Sequence, residues 1–132
     1  MIGAAALCIV VGTTVHALDA PRFTLRWRHT VEKVVWEEDY TVAGRWLFLG
    51  AARVRGSGAG MDPPPGAVKV GDAWQYRPAE RWHERIALAR SPYGADYELC
   101  VKGRCRPLSA WAPLAPTVIA PCAALPSAGR TR

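Results

Sequence analysis

Phe23, Leu25, Trp27, His29 and Val31 alternate with Thr24, Arg26, Arg28 and Thr30. A period of two held over this stretch sorts apolar from polar positions and predicts a half-buried strand. A second strand is expected from Val35 to Val42, with Trp36, Glu38, Tyr40 and Val42 on an inward face and Glu37 and Asp39 on the wet one. A third runs from Arg45 to Arg55, where Trp46, Phe48 and Val54 alternate against Leu47 and Leu49, and Ala43-Gly44 makes the hairpin turn before it. Shorter candidates are Ala73 to Arg77, His83 to Arg90 and a hairpin around Lys102-Gly103, each bounded by Gly, Pro or Ser-Pro-Tyr-Gly. No segment sustains a 3.6-residue period. The pattern therefore predicts an all-β domain, a small antiparallel barrel or sandwich of about seven to eight short strands.

The two ends of the chain break this pattern. Residues 1–17 carry no charged side chain, and the apolar run from Ile2 to Val15 is too short for a comfortable bilayer span. With Val15-His16-Ala17 as a small-x-Ala cleavage pattern, the segment reads as an export signal or a short membrane anchor, and a buried strand is the alternative. Residues 18–112 form the β domain, and 113–132, rich in Ala and Pro, read as an irregular tail. The 132 residues suit one domain with one core; half are hydrophobic and six are Trp, so the chain can bury enough surface to fold. Its net charge of +6 comes from arginines dispersed along the sequence, without the basic, aromatic-lined groove that nucleic-acid binding requires.

Cysteine spacing points to an oxidising compartment. Tyr97, Leu99 and Val101 alternate with Glu98 and Cys100, and a two-residue turn at Lys102-Gly103 sets Val101 opposite Arg104 and Cys100 opposite Cys105. A facing pair of this kind lies within disulfide reach. Cys8 falls in the apolar run of the N-terminal segment and Cys122 in the tail, with no evident partner for either. No metal-ligand spacing occurs, and no cofactor is implied.

Two stretches carry candidate chemistry. In Trp27 to Glu38, strand parity aims both His29 and Glu38 inward, and a hairpin centred near Lys33 and Val34 would set them opposite each other. An inward carboxylate needs a partner, so the pair is either a structural His–Glu contact or a proton-transfer or ligand-binding pair. In Gly56 to Met61, glycines at alternate positions could expose backbone amides to an anion or simply form a bulge; the spacing fits no nucleotide-binding pattern.

The segment His29-Thr30-Val31-Glu32-Lys33, followed by Trp36, Glu38 and Tyr40, and then Gly56-Ser57-Gly58-Ala59-Gly60, resembles the paired signature of domain-of-unknown-function family 1850, small exported bacterial β proteins. The resemblance spans roughly Phe23 to Leu108. It places His29, Glu32, Glu38, Ser57, Gly58 and Gly60 at the motif positions; Thr30 stands where the family usually has Ser, and Val35-Trp36 where Pro-Val is common. What it implies is a periplasmic or membrane-facing accessory role in solute uptake, and the expectation is therefore an accessory or ligand-binding protein that does not catalyse, located in the periplasm or anchored to the outer side of the inner membrane. Its partners would be components of a TAXI-type tripartite ATP-independent periplasmic (TRAP) transporter and a small anionic solute, with membrane contact only through the N-terminal segment. The alternative is a hydrolase-like enzyme in which His29 acts as base with Glu38 or Glu32 as its orienter, and Ser57 is the one candidate nucleophile.

Overall fold

The computed structural model describes residues 6–28, 34–56 and 63–126. Its strands are β1 (Leu7–Val11), β2 (Thr14–Leu18), β3 (Arg22–Arg28), β4 (Val35–Ala43), β5 (Trp46–Arg55), β6 (Val68–Val70), β7 (Ala73–Tyr76), β8 (Trp82–His83), β9 (Ile86–Leu88), β10 (Glu98–Val101), β11 (Arg104–Pro107) and β12 (Thr117–Pro121). Among the described residues helix is confined to single 3-10 turns at Leu108–Ala110 and Cys122–Ala124. The all-β expectation holds. The expected number of strands is exceeded, because β6 and β12 were not foreseen, the N-terminal apolar run takes its alternative reading as strand in β1 and β2, and His83 to Arg90 divides between β8 and β9.

Two antiparallel sheets result. The larger has eight strands in the order β11-β10-β3-β4-β5-β7-β6, with β8 also on β5; the smaller runs β2-β1-β12-β9. They face each other as a sandwich and do not close into a barrel. Leu7, Ile9, Leu88 and Ile119 from the small sheet meet Phe23, Leu25, Tyr40, Val42, Leu47, Leu49 and Leu99 from the large one. Burial of these side chains, each favourable by about 1.5–3 kcal/mol if fully removed from water, supplies the main drive to fold.

Both ends of the chain belong to this core. The apolar run expected to be a signal or anchor forms the β1–β2 hairpin, turning at Gly12, whose φ of +59° suits a residue without Cβ. Leu7, Cys8 and Ile9 are fully buried. The segment expected to be an irregular tail contains β12, which pairs with β1 on one side and β9 on the other. A disulfide between Cys8 and Cys122 then ties the ends together, correcting the expectation that neither had a partner. Cys100 and Cys105 pair in the register expected of them.

A bulge sets the parity of β5. Asp39 faces Ala51 while Tyr40 faces Leu49, so Gly50 is the extra residue. Alternation restarts after it. Leu47 and Leu49 before the bulge and Ala52 and Val54 after it all turn inward, so Val54 does not share a face with Trp46 and Phe48 as its number suggests. The β4–β5 turn is Gly44-Arg45, one residue beyond the expected Ala43-Gly44, because Ala43 already pairs with Trp46.

Candidate functional site

Strand β4 carries Glu37, Glu38 and Asp39 in succession, and the pleat sends them to opposite faces. Glu37 and Asp39 lie on the outer face of the large sheet. There Arg53 donates from Nε to Glu37 at 2.9 Å and from Nη1 and Nη2 to Asp39 at 2.7 and 2.6 Å. Arg55 adds a bond to Glu37 at 3.0 Å, Arg26 approaches Glu37 at 3.8 Å and Glu98 at 3.3 Å, and Thr24 donates to Asp39 at 2.8 Å. Burial alone would push the Glu37 carboxyl up, but the bonds and charges of Arg53 and Arg55 outweigh it and hold it below its ordinary range; Arg53 and Thr24 do the same for Asp39. The face expected to be wet thus carries an ordered charge lattice. Glu37, beneath its arginines, is only 7% exposed.

Glu38 is on the inner face, as its parity requires. Its cross-strand neighbours are Leu25 on β3 and Ala52 on β5, and Ala52 in turn faces Tyr76 on β7. Tyr40 donates its hydroxyl to the Glu38 carboxylate at 2.8 Å. Burial first, and then the adjacent Glu38 charge and this bond, push the Tyr40 phenol far up, so the hydroxyl remains a donor; burial and Glu38 also raise Tyr76. Tyr40 is itself fixed by Phe23, stacked with ring centres 5.2 Å apart, and by the edge of His83. Trp27 and Trp36 stack in the next cross-strand row, and Trp36 continues through Val54 to Trp74. An aromatic wall therefore stands beside one inward carboxylate. The sequence placed Tyr40 on the inward face with Glu38 but did not single out Tyr76; the period-two pattern of Ala73 to Tyr76 was the signal that could have placed Tyr76 beside Glu38.

The hairpin register expected to set His29 opposite Glu38 is not the one found. Pairing of β3 with β4 ends at Arg28 and Val35, so their connection takes residues 29–34 in place of a two-residue turn, and Leu25 stands opposite Glu38. His29 and Glu32 lie outside the described residues, as do Ser57, Gly58 and Gly60. The strand ends leading into them are described. Arg28 pairs with Val35, and Val35 pairs with Arg55, so three adjacent strands end side by side where the two sequence signatures begin or finish. Among the described residues no group of three or more His, Cys, Asp or Glu side chains could hold a metal ion.

These features define a two-sheet, disulfide-tied β domain with one carboxylate on the inner face beside a shared strand edge. The chain matches the family described as Domain of unknown function (DUF1850) over residues 23–108, and belongs to that family. No curated protein and no solved structure matches it.

All four cysteines are paired, which indicates an oxidising, extracytoplasmic environment. No described helix is long and apolar enough to cross a membrane.

Proposed function

We propose that this domain is a periplasmic accessory subunit that binds a solute or a partner protein for a TAXI-type TRAP transporter, and that Glu38 and the edge next to it form the binding surface. The observation that carries this reading is the cross-strand run Arg28, Val35, Arg55, which makes neighbours of the strand ends bearing the two signature segments. Residues distant in sequence are thereby supplied to one rim of a rigid sheet, the usual way a scaffold builds a recognition site. The family resemblance supplies the transporter, and the paired cysteines agree with the compartment. Strands β1 and β2 are built into the sandwich, where β1 pairs with β12.

The test is retention of the TAXI binding protein and membrane subunit on immobilised wild type, Glu38→Gln and Gly58→Val, with the melting curve of each beside it. Loss of retention in variants that melt like wild type is the expected result. Equal retention by all three folded proteins, or none by wild type, overturns the proposal.

A further inference from the structure

The outer face of the large sheet has a feature that its charge lattice does not use. Where the Gly50 bulge interrupts β5, a depression of about 490 Å³ opens between β3, β4, β5 and the β10–β11 hairpin. Its volume is in the range of small-molecule sites. Short residues make its floor: Thr24, Thr41, Gly50 and Ala51. A Cβ placed on Gly50 would touch only Phe48 Cε2 at 3.9 Å and the Asp39 carbonyl at 4.0 Å, so the hollow is real space and not a closely packed seam.

Charge around this hollow is unbalanced. Arg53 and Asp39 satisfy each other through two short bonds, and Thr24 completes Asp39. The remaining charged lining groups, Arg22 and Lys102, are both exposed and enter none of the hydrogen bonds or ion pairs among the described residues. Three cations thus surround one already neutralised carboxylate.

Lys102 adds an independent sign. It is the only non-glycine among the described residues with positive φ, +54°, and Gly103 follows at +78°. Two successive left-handed residues make the type I′ turn of a two-residue hairpin, where Asn, Asp or Gly is ordinarily preferred at the first position. A lysine there holds a conformation its side chain disfavours, at the lip of a basic hollow, and unfavourable backbone conformations of this kind concentrate at ligand clamps. The Cys100–Cys105 disulfide fixes the strands immediately behind the turn.

We infer that this hollow is an oxyanion-binding site for a small organic carboxylate or phosphate, with Arg22 and Lys102 as its ligating cations and the Thr41 hydroxyl as a further donor. It lies on the opposite face of the sheet from Glu38 and stands whether or not that residue binds anything. Charge-assisted bonds from two cations account for affinity, and the short floor residues admit the body of the ligand.

Calorimetric titration of the intact, oxidised protein with succinate in one arm and inorganic phosphate in the other tests the site. Saturable binding of either supports it, and the arm that saturates identifies the oxyanion. Arg22→Gln combined with Lys102→Gln should weaken binding about tenfold or more, since each variant removes a charged donor. Arg77→Gln combined with Arg85→Gln removes the same net charge elsewhere and should change affinity less than about twofold. Lys102→Asn should raise the melting temperature by about 2–4 °C, because Asn suits the turn, while weakening binding several-fold. The inference is overturned if neither anion saturates, if both double variants lose affinity equally, or if Lys102→Asn binds like wild type.

Discussion

The large and small sheets differ in how their sequence is distributed. Apart from Arg22, strands β3 to β11 fall within residues 23–108, the span that matches the family, and they make the whole of the large sheet together with β9 of the small one. The other three strands of the small sheet, β1, β2 and β12, lie outside that span. Yet Leu7, Ile9 and Ile119 on these outer strands are as buried as Leu25, Leu47 and Leu99 on the inner ones. A stretch recognisable by its signature is therefore not the unit that folds. The large sheet presents the candidate sites, and the chain ends cover its apolar face.

The sharpest way to break this comparison is to express residues 23–108 alone. Without β1, β2 and β12 the inward side chains of Phe23, Leu25 and Leu49 lose their cover, and a one-layer sheet of this size has no second apolar face to meet. The fragment is expected to show no cooperative melting transition; a sharp transition near that of the full chain would mean that the large sheet is self-sufficient. Next in size is the tie between the ends. The Cys8–Cys122 bridge spans 114 residues of sequence, and in the chain-entropy model closing so long a loop stabilises by about 4–5 kcal/mol. Replacing both by Ser should lower the denaturant midpoint far more than replacing Cys100 and Cys105, whose short loop is worth about 2 kcal/mol or less. Equal losses would place the stability of the small sheet in its packing and not in the bridge.

A third effect separates the sheets by pH. Glu37 and Asp39, both on the large sheet, have folded carboxyls held below their unfolded range. Their contribution is present above the unfolded values near pH 4 and is lost as pH falls through the lower folded ones. Asp96 behaves alike, because despite its burial the bidentate bonds from buried Arg90 hold it down. Acid unfolding should therefore set in below about pH 4. Arg53→Met removes the bidentate partner of part-exposed Asp39 and one of the arginines bonded to Glu37, costing about 1–2 kcal/mol at neutral pH, and should flatten the acid limb because the depressed values relax. An unchanged limb in that variant would assign the acid sensitivity elsewhere.

The same contrast explains what the sequence made legible. Strand β3 and the inward parity of Glu38 could be read because a sheet with one buried face prints an alternating pattern. The β1 and β12 segments, Leu-Cys-Ile-Val-Val and Thr-Val-Ile-Ala-Pro, print short apolar runs that an export signal or a Pro-rich tail would print equally well. Nothing local distinguishes these cases; the information lies in a pairing across more than a hundred residues. Parity also failed at Gly50, where a single extra residue reverses every later assignment on β5. The register expected to set His29 opposite Glu38 failed for a related reason: inward parity gives the face, whereas the facing residue depends on the length of the connection, and Leu25 takes that place.

The smallest effect concerns Glu38 itself, and it sharpens the comparison most for function. Glu37 and Glu38 are adjacent carboxylates, one bonded by arginines on the outer face and the other by a tyrosine hydroxyl on the inner one. Glu38→Gln keeps an oxygen that can accept from Tyr40, so it should cost about 1 kcal/mol or less, whereas Glu38→Ala leaves that hydroxyl without its acceptor and should cost about 1–3 kcal/mol. Tyr40→Phe combined with Glu38→Gln then measures the pair directly, with an expected coupling of about 1 kcal/mol. If Glu38 serves recognition, Glu38→Gln should lose the transporter components while melting within a few degrees of wild type, and Tyr40→Phe should lose them in part, since its hydroxyl orients the carboxylate. If Glu38 is only structural, retention should track melting temperature across all the variants. Full retention by a stable Glu38→Ala protein would remove the inner-face carboxylate from the binding surface altogether.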